Sequence, residues 1–153
     1  MTAVKLKILA IDDTKDSLDT LAAAVSRTFP GAVFSPAPDG LSGIELALAE
    51  NPDIILLDIV MPGMDGYETC RRLKEDARLS HIPVVFMTAL RPDKDTLEKA
   101  FAAGGDAFIL KPLELWELTV QIRTMLKNKA ANNLQQTDHA KLGIIVTQRP
   151  REL

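Results

Sequence analysis

The chain has one cysteine, two histidines and no apolar run near the ~18 residues a membrane span needs. A lone Cys70 excludes an internal disulfide and fits a reducing compartment. With no catalytic partner near it in sequence, it reads as a small, partly buried helix residue. His81 and His139 are not placed with a cysteine to form a zinc or copper site, and both read as surface residues. A strong excess of charge is also missing. Eighteen Lys+Arg against 21 Asp+Glu leave a net charge of −3, without the basic footprint nucleic acid requires. Neither a nucleic-acid nor a membrane partner is expected. The opening "MTAVKLKILAIDD" is too short, and too soon interrupted by charge, for a signal peptide. There is no G-x-x-x-x-G-K loop to cradle a nucleotide's phosphates. A cytoplasmic, single globular domain is the expectation, and 153 residues with 46% hydrophobic and 25% charged composition suit one.

What is present is an alternation. Short apolar runs at 7–11, 33–37, 54–57, 84–88 and 107–110 are each followed by a helical pattern. Leu18, Leu21, Ala22, Val25 and Phe29 share one helix face, and so by spacing do Leu41, Ile44 and Leu48. Stretches 66–76, 94–103 and 113–127 are further helix candidates. Five β-α units predict an α/β fold, a doubly wound five-stranded parallel sheet with helices on both faces. "IILL" and "VVFM" are apolar at consecutive positions, as central strands are. Pro36 and Pro38 put the second strand at an edge, because proline cannot donate a ladder hydrogen bond. Order 2-1-3-4-5 satisfies this, with its switch point between the first and third strands, where ligands bind.

Asp12 and Asp13 end the first predicted strand and Asp58 ends the third, so three carboxylates converge on one crevice. Their mutual repulsion calls for a counter-charge. A hard cation such as Mg2+, which takes one or two carboxylates and keeps several waters, supplies one. Thr88 closes the fourth strand and Lys111 the fifth, bringing a hydroxyl and a compact positive charge suited to phosphate. Carboxylates, cation, hydroxyl and ammonium together describe phosphoryl transfer. Without a nucleotide loop, an Asp side chain must itself receive the group as an acyl phosphate.

"IDD" (11–13), "LLDIVMPGMDG" (56–66), "MTA" (87–89) and "KP" (111–112) resemble the signature of the receiver domain of two-component response regulators. Thr88 follows Asp58 by 30 residues and Lys111 follows Thr88 by 23, in the family's order. The resemblance covers residues 5–127 and implies a flavodoxin-like (CheY-like) three-layer sandwich. It implies Asp58 as phosphoacceptor, fed by a sensor histidine kinase or phosphotransfer protein. It implies Mg2+ on Asp12, Asp13, Asp58 and the Val60 carbonyl. Lys111 would pair with the phosphoryl group, and Thr88 would turn towards it. Phe108 would be the switch aromatic, although a plain core aromatic is the other reading. Pro112 would follow a cis bond, and Gly66 would let the loop below Asp58 turn tightly.

The residues two after the acceptor and two after the threonine, Val60 and Leu90, cannot orient an attacking water, so a long-lived phosphorylated state is expected. Leu118, Ile122, Met125 and Leu126 form the fifth helix's core-facing set, which leaves Trp116, beside Leu115, available for a partner or for the tail. The surface of fourth helix, fifth strand and fifth helix is the family's usual partner or homodimer face. Residues 128–153 form a tail, a helix extension, or a linker to more protein. The leading reading is a phosphorylation-activated switch acting through a downstream protein partner, not an enzyme with an external substrate. The alternatives are a docking module independent of phosphate and the receiver fragment of a hybrid kinase or multidomain regulator. An Asp-nucleophile phosphatase is disfavoured, because Val60 stands where a second Asp would be needed.

Overall fold

The computed structural model describes residues 6–89, 93–111 and 114–134, with side chains described to residue 127. Five β-α units follow one another: β1 (Lys7–Ile11), α1 (Lys15–Thr28), β2 (Val33–Ala37), α2 (Gly40–Glu50), β3 (Ile54–Asp58), α3 (Gly66–Glu75), β4 (Val84–Thr88), α4 (Lys94–Ala102), β5 (Ala107–Leu110) and α5 (Leu115–Leu134). The strands form one parallel sheet in the order β2-β1-β3-β4-β5. β3 and β4 are buried at every position, as their unbroken apolar runs require. β2 lies at the edge, with Pro36 opposite Ala10 of β1.

The sheet has a core on each face. Ile8, Ala10, Leu56, Val85 and Met87 point to the side covered by α1 and α5, where Leu21, Val25, Leu118, Ile122 and Met125 meet them. Leu9, Ile11, Leu57, Val84 and Phe86 point to the side covered by α2, α3 and α4. The period of two within each strand thus assigns alternate residues to two separate cores. Among the described residues no helix is long and apolar enough to cross a membrane.

The face of α2 differs from the sequence expectation. Leu41 is 59% exposed and Leu48 39%, with only Ile44 of the expected trio packed against the core. The buried positions are Gly40, Gly43 and Ala47. A Cβ on Gly43 would stand 2.4 Å from Cδ1 of Ile11, and one on Gly40 2.3 Å from Oγ1 of Thr69. The helix lies so close to β1 and α3 that small residues, not leucines, form its contact. Cys70 is fully rather than partly buried, and that burial pushes its thiol up to about 12. His81 is exposed, as expected. His139 lies outside the described residues.

Three loops enter their helices through an aspartate. Asp39, Asp65 and Asp93 each accept a hydrogen bond from the backbone N–H three residues on, starting α2, α3 and α4. Asp65 matters most for the site, because α3 begins directly below Asp58. At the far end of the sheet, Nζ of Lys74 reaches the Asp106 carboxylate at 3.0 Å and the Ile82 carbonyl at 2.7 Å. This ties α3 to the starts of β4 and β5.

Candidate functional site

Parallel register brings the predicted residues together. Ile11 pairs with Leu57, so Asp12 and Asp58 follow side by side on neighbouring strands. Asp58 pairs with Met87, and Thr88 with Leu110. The ladder runs one residue further, with Lys111 N–H donating to the Thr88 carbonyl at 2.8 Å. All five strands point their carboxyl ends the same way, and the switch point between β1 and β3 falls between Asp12 and Asp58.

The adjacent aspartates have different surroundings. Asp12 is wholly buried and Asp13 is exposed. Asp12 accepts from Thr14 N–H at 2.9 Å and from Nζ of Lys111 at 2.7 Å. Lys111 also lies 3.5 Å from the Asp58 carboxylate. Oxygens of Asp12, Asp13 and Asp58 all fall within 4.8 Å of one another. Among the described residues Lys111 is the cation recorded against this cluster, through Asp12 and Asp58, so the acids outnumber the ammonium and like charge is in excess. Burial pushes the Asp58 carboxyl above its ordinary range; Lys111 opposes this and Asp12 adds to it. The donor set is all oxygen and its excess of negative charge suits a divalent hard cation.

Thr88 is buried at the end of β4. It stands two residues beyond Phe86, so both face the α2-α3-α4 side. Phe108 pairs with Phe86 in register and packs, half-buried, against that same core. Thr88 and Phe108 are therefore diagonal neighbours on one face of two adjacent strands. Val60, two residues past Asp58, is exposed. Pro112 and Leu90 lie outside the described residues.

Gly66 is required for a reason other than the one expected. The left-handed glycine of the loop is Gly63, with φ of 76°. At Gly66 a Cβ would lie 2.2 Å from the Asp58 carbonyl oxygen and 2.7 Å from the Ile59 Cα. Gly66 N–H donates to the Ile59 carbonyl at 2.8 Å. The start of α3 is thus pressed against the backbone that carries Asp58, and close approach, not turn geometry, demands glycine.

Leu115 and Trp116 open α5 but face different ways. Leu115 lines a groove with Leu118 of α5 and Thr20, Ala23, Ala24 and Arg27 of α1. Trp116 is 66% exposed, and Val120 one turn on is 50% exposed. One residue near the site was not anticipated: Ser17, in the first turn of α1, whose Oγ accepts from Nζ of Lys111 at 3.3 Å. A hydroxyl one turn into the helix that follows Asp12 and Asp13 was the available signal.

The fold and the crevice define a doubly wound α/β module with an acidic, lysine-bearing site at its switch point. The sequence model of the response regulator receiver domain matches residues 8–123, and the chain belongs to that family. It is 34% identical over 142 residues to Response regulator PleD of Caulobacter vibrioides, covering 91% of this chain and 31% of that protein. It is 34% identical over 121 residues to the DNA-binding dual master transcriptional regulator RpaA of Synechocystis, covering 79% of this chain and 49% of that protein. The chain thus spans from 31% to 49% of these relatives' length. Among solved structures, the receiver domain of a signal transduction histidine kinase from Syntrophus aciditrophicus superposes with a TM-score of 0.72 at 30% identity, over 80% of this chain and 90% of that one. The chemotaxis protein CheY4 of Vibrio cholerae shares the fold, with a TM-score of 0.75 at 21% identity, over 80% of this chain and all of that one.

Proposed function

We propose that this receiver domain, spanning residues 5–127, is a phosphorylation-activated switch with Asp58 as its phosphoacceptor. The observation that carries the reading is the cluster of Asp12, Asp13 and Asp58 about a single ammonium. A carboxylate oxygen of Asp58 attacks phosphorus, and the P–N bond to a phosphohistidine of a sensor kinase or phosphotransfer protein breaks. The histidine leaves with the electron pair, and water later cleaves the acyl phosphate to carboxylate and inorganic phosphate. Asp12, Asp13, Asp58 and the Val60 carbonyl would hold Mg2+, which supplies positive charge to the incoming phosphoryl oxygens. Lys111 pairs with those oxygens, and Thr88 turns towards them, drawing Phe108 with it. The site then acts on a protein partner from the cytoplasm and has no external substrate.

Intact mass after incubation with acetyl phosphate tests this. The expected result is one phosphoryl adduct that requires Mg2+ and is absent from Asp58→Ala. It should be lost slowly after the donor is removed, since neither Val60 nor Leu90 can orient a water. No adduct under any condition would support a docking module independent of phosphate. Adduct formation on Asp58→Ala would place the acceptor elsewhere.

The output surface proposed is that of α4, β5 and α5, used by a downstream protein or a second copy, with Trp116 as anchor and Leu115 beside it. An exposed tryptophan with Val120 one turn away is the kind of group that dominates an interface. Trp116→Ala should weaken self-association or partner binding by roughly tenfold, read by sedimentation of the phosphorylated chain. Unchanged association would remove this face from consideration. The share of the relatives that the chain spans supports a receiver set within a larger regulator or hybrid kinase, with residues 128–153, the first seven of which continue α5 to Leu134, as tail or linker.

A further inference from the structure

Lys111 is the only cation recorded at the carboxylate cluster among the described residues, and it is asked to do two things. Its ammonium is 2.7 Å from Asp12 and 3.5 Å from Asp58. Both carboxylates also belong to the set that would hold a divalent cation. An oxygen that turns to a metal is no longer free to orient the lysine. The ammonium has three protons, and the third acceptor around it is neither acid nor backbone: it is Oγ of Ser17, at 3.3 Å.

We propose that Ser17 is a positioning residue for phosphoryl transfer, holding Lys111 over Asp58 when Asp12 is engaged elsewhere. The inference rests on the reading of Asp58 as phosphoacceptor. A hydroxyl suits the task better than a third acid. It accepts from the ammonium without adding negative charge to a crevice that already has an excess, and it does not compete as a hard anionic ligand. Its place is set by the fold. Ser17 sits in the first turn of α1, and the chain reaches that turn directly from Asp12 and Asp13, with Asp12 accepting from Thr14 N–H. Helix and acids therefore share one rigid origin. The lysine arrives from the far edge of the sheet, directly after β5, 94 residues away in sequence. A long flexible side chain gains most from such a fixed neutral contact, because its freedom is what must be restrained before the reaction.

The test is the rate of adduct formation with acetyl phosphate and Mg2+, followed by intact mass. Wild type, Ser17→Ala, Ser17→Thr, Lys111→Met and the double variant Ser17→Ala/Lys111→Met are compared. Alanine is the better helix former, so Ser17→Ala is expected to fold. Its rate should fall by about three- to tenfold, the worth of one long hydrogen bond to a charged group. Ser17→Thr, which keeps the hydroxyl, should stay within about twofold of wild type by the same measure. In the Lys111→Met background the alanine should have almost no further effect, since a residue acting through another loses its influence when that other is gone. The same cycle read by thermal unfolding in EDTA should show the same coupling without metal or phosphate. Wild-type rates in Ser17→Ala, or equal losses with and without Lys111, would overturn the role of Ser17 while leaving Asp58 as acceptor. No adduct on the wild-type chain would overturn both.

Discussion

Lys111→Met is expected to lower stability in EDTA by about 2–3 kcal/mol, at or just below the lower end of the cost of breaking a buried ion pair. That corresponds to a fall of roughly 6–10 °C in melting temperature for a domain of this size. The ammonium is 2.7 Å from a carboxylate with no solvent exposure, and 3.5 Å from a second that is nearly as buried. Methionine keeps most of the stem, so the loss isolates charge from packing. The lower end is appropriate because the lysine side chain itself is 21% exposed. With the competing ammonium gone, three carboxylates are available to a divalent cation, and added Mg2+ should raise the melting temperature of the variant by more than it raises that of wild type. Calorimetry in EDTA and in millimolar MgCl2 checks both. A variant as stable as wild type in EDTA would mean that the three acids do not repel one another enough to need a counter-charge. The explanation offered for the cluster would then fail.

Gly66→Ala should cost about 3 kcal/mol, at the upper end of what overpacking usually does. The new methyl would meet backbone atoms on β3 and just after it, 2.2 Å from the Asp58 carbonyl oxygen. No rotamer change relieves a backbone clash. Either the start of α3 moves out or the end of β3 moves away, and the second displaces the carboxylate that is to accept the phosphoryl group. The fraction that folds should therefore also form the acetyl phosphate adduct more slowly. Gly63→Ala is the informative comparison. It has the left-handed backbone, φ of 76°, but nothing within 4 Å of its Cβ. It should lose only about 1–2 kcal/mol, the ordinary penalty for a side chain in that region. If both variants cost the same and adduct formation is unaffected, the close approach of α3 to the acceptor strand has no bearing on the site.

The unequal legibility of the two faces of the sheet follows from the same physics. The helix face of α1 was readable because leucine and valine recur at helical spacing and pack where the spacing puts them: Leu21 and Val25 are buried, and Leu18 and Phe29 pack beside them. α2 has the same kind of spacing and was misread. Apart from Ser42, Glu45 and Glu50 its residues are apolar or glycine, and they fall on more than one side, so periodicity picked the face of the large residues rather than that of the small ones. The deciding fact was the closeness of β1 and α3, which admits glycine and alanine and turns Leu41 and Leu48 outwards. The fifth helix was readable in its buried set, but the divergence of Leu115 and Trp116 was not. Neighbouring residues on a helix point about a quarter-turn apart, and only the position of α1 shows which of them gains a wall.

Sequence by itself determined the five β-α units, the edge position of the proline-bearing strand, the two-sided burial of β3 and β4, and the four motifs at the strand ends. Each of these is a local pattern: periodicity, a missing N–H donor, a run of apolar residues, a short string with fixed chemistry. Tertiary structure alone decided how the acids divide. Asp12 is buried against Lys111 while Asp13 stays exposed, although the two are neighbours of the same type. It alone brought Ser17 to the lysine from 94 residues away, and made Gly66 a matter of space. Those features depend on distances between elements remote in sequence, and such distances are set by how the sheet and helices pack, which no local pattern encodes.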